Sequence, residues 1–149
     1  MISKILVPTD GSDKAKKAAL CAIEIAKLFK VSVVILSVIE NHPLIGQKVD
    51  PPEKANHTIE PIGYYLREAA ELCTGEIKQL CDENKVASEV VVRTGYPVKE
   101  IVREAKRSGA DLIIMGSCGR SALSAAILGS VSYGVIHHAR NIHVLIAKE

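Results

Sequence analysis

Apolar residues fall into two alternating patterns along this chain: short unbroken runs rich in branched side chains, and longer stretches where they recur every three or four positions. The runs Ile5 to Val7, Val31 to Ile39, Glu89 to Arg93, Asp111 to Met115 and Ile142 to Ala147 predict five strands. Between the first two, Ala15, Ala18, Ala19, Ala22, Ile23, Ala26 and Phe29 keep helical spacing, with Lys14, Lys16, Lys17, Glu24 and Lys27 mostly opposite. Pro8 breaks the first strand, and Thr9-Asp10-Gly11-Ser12 supplies a turn and capping residues. Leu66, Ala70, Cys73, Ile77, Leu80 and Cys81 mark a long helix running to Asn84. Pro97 opens another, with Val98, Ile101, Val102 and Ala105 on its apolar side, and Gly109 stops it. A last helix is expected from Ser130 to Ala139. From Glu40 to Pro61 the pattern fails: Pro43, Gly46, Pro51, Pro52 and Pro61 punctuate polar residues, which predicts a functional or disordered loop, mobile without ligand.

Strands separated by helices imply an open five-stranded parallel sheet of the α/β, Rossmann-like class, with right-handed crossovers and helices on both faces. If the first and fourth strands are neighbours, the strand order is 3-2-1-4-5. At 149 residues one domain, 1–149, is expected. Hydrophobic residues make up 48% of the chain but aromatics only 3%, so the core should be aliphatic, as in parallel sheets covered by helices. The formal charge of +2, with no basic stripe carrying interleaved aromatics, argues against nucleic acid. No apolar stretch approaches the roughly 18 to 20 residues that span a bilayer, and Met1-Ile2-Ser3-Lys4 leads into a strand instead of a signal peptide. The expectation is a cytoplasmic protein with no membrane contact. Cys21, Cys73, Cys81 and Cys118 form no C-x2-C pair, and His42, His57, His137, His138 and His143 lack ligand spacing, so no metal site is predicted. Cys21, Cys73 and Cys81 fall on apolar helix faces. Cys118 reads as a tolerated loop residue or, beside a helix start, as a reactive thiol.

The candidate chemistry lies after the fourth apolar run. Gly116-Ser117-Cys118-Gly119, nine further residues and Gly129-Ser130-Val131 spell G-x2-G-x9-G-S. Glycines let backbone N–H groups approach an anion, and a helix N-terminus adds unpaired donors and a partial positive charge of about half a unit. Phosphate suits such a loop. In open α/β sheets the ligand crevice lies beyond the carboxyl ends of the strands where their order reverses. If the first and fourth strands are neighbours, Pro8-Thr9-Asp10-Gly11-Ser12 and the glycine loop both line that crevice. Asp10 reads as a ligand group or as a cap of the helix or its turn. Arg120 reads as a phosphate contact or as a solvated cation.

Ile5-Leu6-Val7-Pro8-Thr9-Asp10-Gly11-Ser12, Gly109-Ala110-Asp111-Leu112-Ile113-Ile114-Met115-Gly116-Ser117 and Gly119-Arg120 through Leu128-Gly129-Ser130-Val131 together resemble the universal stress protein family, in its single-domain, ATP-binding form. The resemblance spans essentially the whole chain. It implies that Pro8 and Thr9 flank adenine, with Asp10 near the base or a metal-linked network, and that Val38 offers backbone contacts to the base edge. It places Met115 and Gly116 at the ribose, and Gly119 and Arg120 near the phosphates. Gly129, Ser130 and Val131 would hold the phosphates through N–H groups and the Ser130 hydroxyl. Two departures stand out: Tyr133 and Gly134 occupy places where the family usually has a charged residue, and His143 replaces a common proline.

The function implied is an ATP-binding regulatory or stress-response module, with ATP bound alone or with Mg or Mn, no catalytic residue, and an unidentified protein partner. A slow Mg-dependent ATPase or phosphotransferase and a nucleotide-free interaction protein are the alternatives. The sequence lacks G-x4-G-K-[ST], and Asp10 is the evident acidic candidate in the two loops. A homodimer through the last strand is also expected, because an edge strand leaves N–H and C=O groups unpaired.

Overall fold

The computed structural model describes residues 1–40, 60–119 and 128–148. In chain order the elements are β1 (Lys4–Pro8), α1 (Asp13–Phe29), β2 (Ser32–Glu40), α2 (Glu60–Glu83), β3 (Ser88–Gly95), α3 (Pro97–Ser108), β4 (Leu112–Gly116), α4 (Ser130–His138) and β5 (His143–Ala147). The five strands form one sheet of order β3-β2-β1-β4-β5, every neighbouring pair parallel. The expected α/β architecture and strand order are therefore found.

Alternation along the strands divides the core in two. Ile5 and Val7 point to the face covered by α1 and α2, where Ala18, Ala22, Ile77 and Cys81 pack. Leu6, Val34 and Leu36 point to the face covered by α3 and α4, with Ile101, Ala105 and Val135. The alanine stripe of α1 lets that helix lie close over the sheet, and its six buried residues are those of the stripe and Ile23. Ser12 Oγ accepts from Ala15 N–H at 3.2 Å to cap its start. Gly109, at φ 72°, ends α3 as the sequence predicts.

Most boundaries differ from expectation by one or two residues, β3 for instance running from Ser88 to Gly95, and a few differ in ways that matter. The helix α2 begins at Glu60, six positions before the apolar stripe, because a proline in the first turn costs no intrahelical bond. Asp111 stands ahead of β4 instead of inside it. Its carboxylate accepts from Ser3 N–H at 2.9 Å and from Ser3 Oγ–H at 2.7 Å, tying the chain start to the amino end of β4. Ile142 precedes β5, which starts at His143. The expected loop from Glu40 to Pro61 falls almost wholly outside the described residues.

Candidate functional site

The strands β1 and β4 lie side by side, Ile5 opposite Leu112, yet the chain leaves them toward opposite faces of the sheet, into α1 and α4. Order reverses there, and a crevice opens at the carboxyl ends. It is a cavity of about 450 Å³, and Pro8, Thr9, Asp10, Val38, Met115, Gly116, Gly119, Gly129, Ser130 and Val131 all line it. The fold thus brings ten of the eleven expected site residues to one space. The remaining one, Arg120, lies outside the described residues.

At one end, β2 outruns its neighbour. The last β1–β2 pair is Pro8 with Leu36, and Thr9 N–H donates to Leu36 C=O at 2.8 Å. Backbone groups of a strand repeat their direction every second residue, so Val38 N–H and C=O face the same edge as Leu36. At Val38 that edge borders the cavity, since β1 has already turned away toward α1. The turn itself is fixed by side chains. Gly11 N–H donates to Thr9 Oγ1 at 3.2 Å, and Ser12 N–H donates to Asp10 Oδ1 at 2.9 Å. Ser12 is the helix cap, while Asp10 closes the turn before it. The other Asp10 oxygen lies against the glycine loop: a Cβ added to Gly119 would stand 2.6 Å from Oδ2.

At the other end the glycines are spacers. A Cβ on Gly129 would meet Cys118 Cα at 2.9 Å, and one on Gly116 would meet the Lys14 backbone at 3.1 Å. Gly129 has φ −64°, so close approach, not an unusual dihedral, is what excludes a side chain there. Its own N–H donates to Ser117 C=O at 2.7 Å. This differs from the expectation that Gly129 N–H faces a phosphate. The first intrahelical bond of α4 runs from Tyr133 N–H to Gly129 C=O at 2.9 Å, which leaves Ser130, Val131 and Ser132 as the first-turn donors. No acidic residue occupies that turn to compensate the dipole. Ser132, buried, donates its hydroxyl to Gly116 C=O at 2.9 Å.

Several lining residues escape sequence reasoning. Leu66, Ala70 and Cys73 of α2 face the cavity, as do Pro97 and Ile101 of α3 and Glu40 at the end of β2. The spacing of Leu66, Ala70 and Cys73 was the signal, but periodicity cannot separate a core face from a cavity wall. Cys118, open to two readings in the sequence, is 4% exposed with Lys14 Nζ 2.7 Å from its sulfur. Burial raises the thiol pKa of Cys21 and Cys81, which keeps both protonated at neutral pH. Among the described residues no group of three or more His, Cys, Asp or Glu could hold a metal. Also among them, no helix is long and apolar enough to cross a membrane.

Comparison with known proteins agrees with this geometry. The model of the universal stress protein family matches residues 1–148. Universal stress protein MJ0531 of Methanocaldococcus jannaschii is 35% identical over 149 residues, covering all of this chain and 84% of that one. The solved structure of MJ0577 superposes with a TM-score of 0.83 at 30% identity, covering 100% of this chain and 97% of the other. Two more distant structures share the fold and carry adenine nucleotides. One is a universal stress protein in complex with cAMP, TM-score 0.71 at 22% identity, covering 98% and 97% of the two chains. The other is an Arabidopsis thaliana family member with AMP bound, TM-score 0.69 at 19%, covering 99% and 92%.

Proposed function

The chain belongs to the universal stress protein family, and from that premise we propose that its crevice binds an adenine nucleotide, ATP above all, as a regulatory module that performs no chemistry of its own. The observation that carries the reading is the pairing of two complementary ends in one cavity. Val38 turns a backbone donor and acceptor toward one end, and the first-turn N–H groups of α4 stand at the other. A base edge needs the first and a phosphate the second. The residues fit such a ligand: Pro8 and Met115 add apolar walls, and Gly116 and Gly129 let the strand end and the helix start pack closely beside the cavity. The cAMP and AMP carried by the two distant relatives support the same ligand class.

In this reading Pro8 and Thr9 flank adenine, Val38 reads its edge, Met115 and Gly116 border the ribose, and Ser130 and Val131 donate to phosphate. Gly119 and Arg120 approach the phosphates, and Mg or Mn enters with the triphosphate. Hydrolysis would require a positioned base and a charge clamp at the γ-phosphate. Asp10 Oδ1 is committed to Ser12 N–H, which supports binding without turnover. Denaturing freshly purified protein and identifying the released small molecules tests the proposal. An adenine nucleotide in amounts matching the chain is expected; a stoichiometric ligand of another class would overturn it.

We also propose a cytoplasmic homodimer joined edge to edge through β5. His143 N–H donates to Asp111 C=O, on the β4 side, so Val144 and Ile146 turn their N–H groups outward. Val144 through Ala147 are only half-buried although they pack against both cores. A second β5 would satisfy the edge and cover them.

A further inference from the structure

Two hydrogen bonds fasten the start of α4 to the end of β4, both donated from the helix side. Gly129 N–H, just before the helix, donates to Ser117 C=O at 2.7 Å. Ser132, in the first turn, donates its Oγ–H to Gly116 C=O at 2.9 Å. Between these two anchors lie Ser130 and Val131, whose N–H groups have no intrahelical acceptor. Ser132 is 3% exposed and lines the cavity, yet its hydroxyl is turned away from capping its own helix toward the neighbouring strand end. The opposite face of that strand end is close-packed too, since a Cβ on Gly116 would stand only 3.1 Å from the Lys14 backbone.

We propose that Ser132 is a positioning residue for phosphate: its hydroxyl locks the donors of Ser130 and Val131 at a set distance from the strand end, so that an anion meets them already aimed. The inference rests on the nucleotide reading of the crevice. Donors held in place before binding cost no ordering when the ligand arrives, so the bond to Gly116 acts on affinity although Ser132 Oγ itself need not touch ligand. The part of the ligand far from α4 should not sense it. The base end is formed by Thr9, Leu36 and Val38, which are hydrogen-bonded to one another or along the sheet and not to Gly116 or Ser132.

The test is calorimetric titration of wild type, Ser132→Ala and Ser132→Thr with ATP, AMP and adenosine. Ser132→Ala should weaken ATP and AMP by about tenfold, the factor that one net hydrogen bond supplies, while adenosine affinity stays within about twofold. Ser132→Thr, which keeps the hydroxyl, should restore ATP affinity. Equal weakening of adenosine and ATP in the alanine variant would reduce Ser132 to a structural role. Unchanged ATP affinity, or a threonine variant as weak as the alanine one, would overturn the proposal as well. Each of these outcomes leaves the nucleotide reading intact, whereas a wild-type protein that binds neither adenosine nor ATP overturns both.

Discussion

Replacing Gly129 by aspartate would set a side chain 2.9 Å from Cys118 Cα and a negative charge where the reading places phosphate. Gly129→Asp should shift the start of α4 locally, keep its overall circular dichroism and lose at least about a hundredfold in ATP affinity, roughly 2.7 kcal/mol. Unchanged affinity in the folded variant would remove the glycine loop from the site. Asp111 makes a separate prediction at the amino end of the sheet. Burial works to raise its carboxyl pKa, but hydrogen bonds from Ser3 Oγ–H, Ser3 N–H and Lys4 N–H outweigh that and hold it below the ordinary value of 3.8. A carboxyl lowered by folding contributes stability that is complete above the unfolded pKa and is lost as pH falls through the folded one. Asp111→Asn should therefore cost stability at pH 7, with the difference from wild type shrinking toward about pH 3. Urea unfolding at both pH values checks this, and an equal difference at the two would contradict it.

The elements explain why Gly134 stands in α4, where propensity alone counts it as a loss of about 1 kcal/mol against alanine. A Cβ at Gly134 would lie 2.7 Å from Val98 Cγ2 of α3, and valine has few rotamers with which to yield. The glycine brings two helices together over the second core. Gly134→Ala should gain that propensity but suffer overpacking of about 1 to 3 kcal/mol, a net loss of up to about 2 kcal/mol and a fall in Tm of up to about 8 °C. In a Val98→Ala background the same change should stabilise; destabilisation there would show that the contact is not the cause. Local pattern made most elements legible, because strands buried on both faces stay apolar throughout and α1 and α3 carry clean stripes. It also pointed to ten residues that line one cavity, since strand ends and glycine loops are marked in sequence. What it could not show was partnership: Gly129 N–H spent on Ser117, Ser132 spent on Gly116, and Gly134 spent on Val98 are distances between segments remote in the chain.

At the scale of the whole molecule, the sheet ends on β3 and β5, and the proposed assembly uses the β5 edge, apart from the crevice. Val144→Pro removes an N–H that points away from β4, so the intrachain ladder survives while an edge-to-edge dimer loses a donor. Sedimentation should find the wild type dimeric and this variant monomeric at tens of micromolar, roughly the range of ordinary micromolar affinity. A monomeric wild type would defeat the dimer while leaving the crevice untouched. The crevice itself is tested most directly by titrating nucleotide-free protein with ATP and GTP in a calorimeter. The proposed backbone recognition at Val38 predicts one ATP per chain, with GTP at least about tenfold weaker. Equal affinity for the two, or no heat from ATP in a protein whose unfolding is cooperative, would contradict the account.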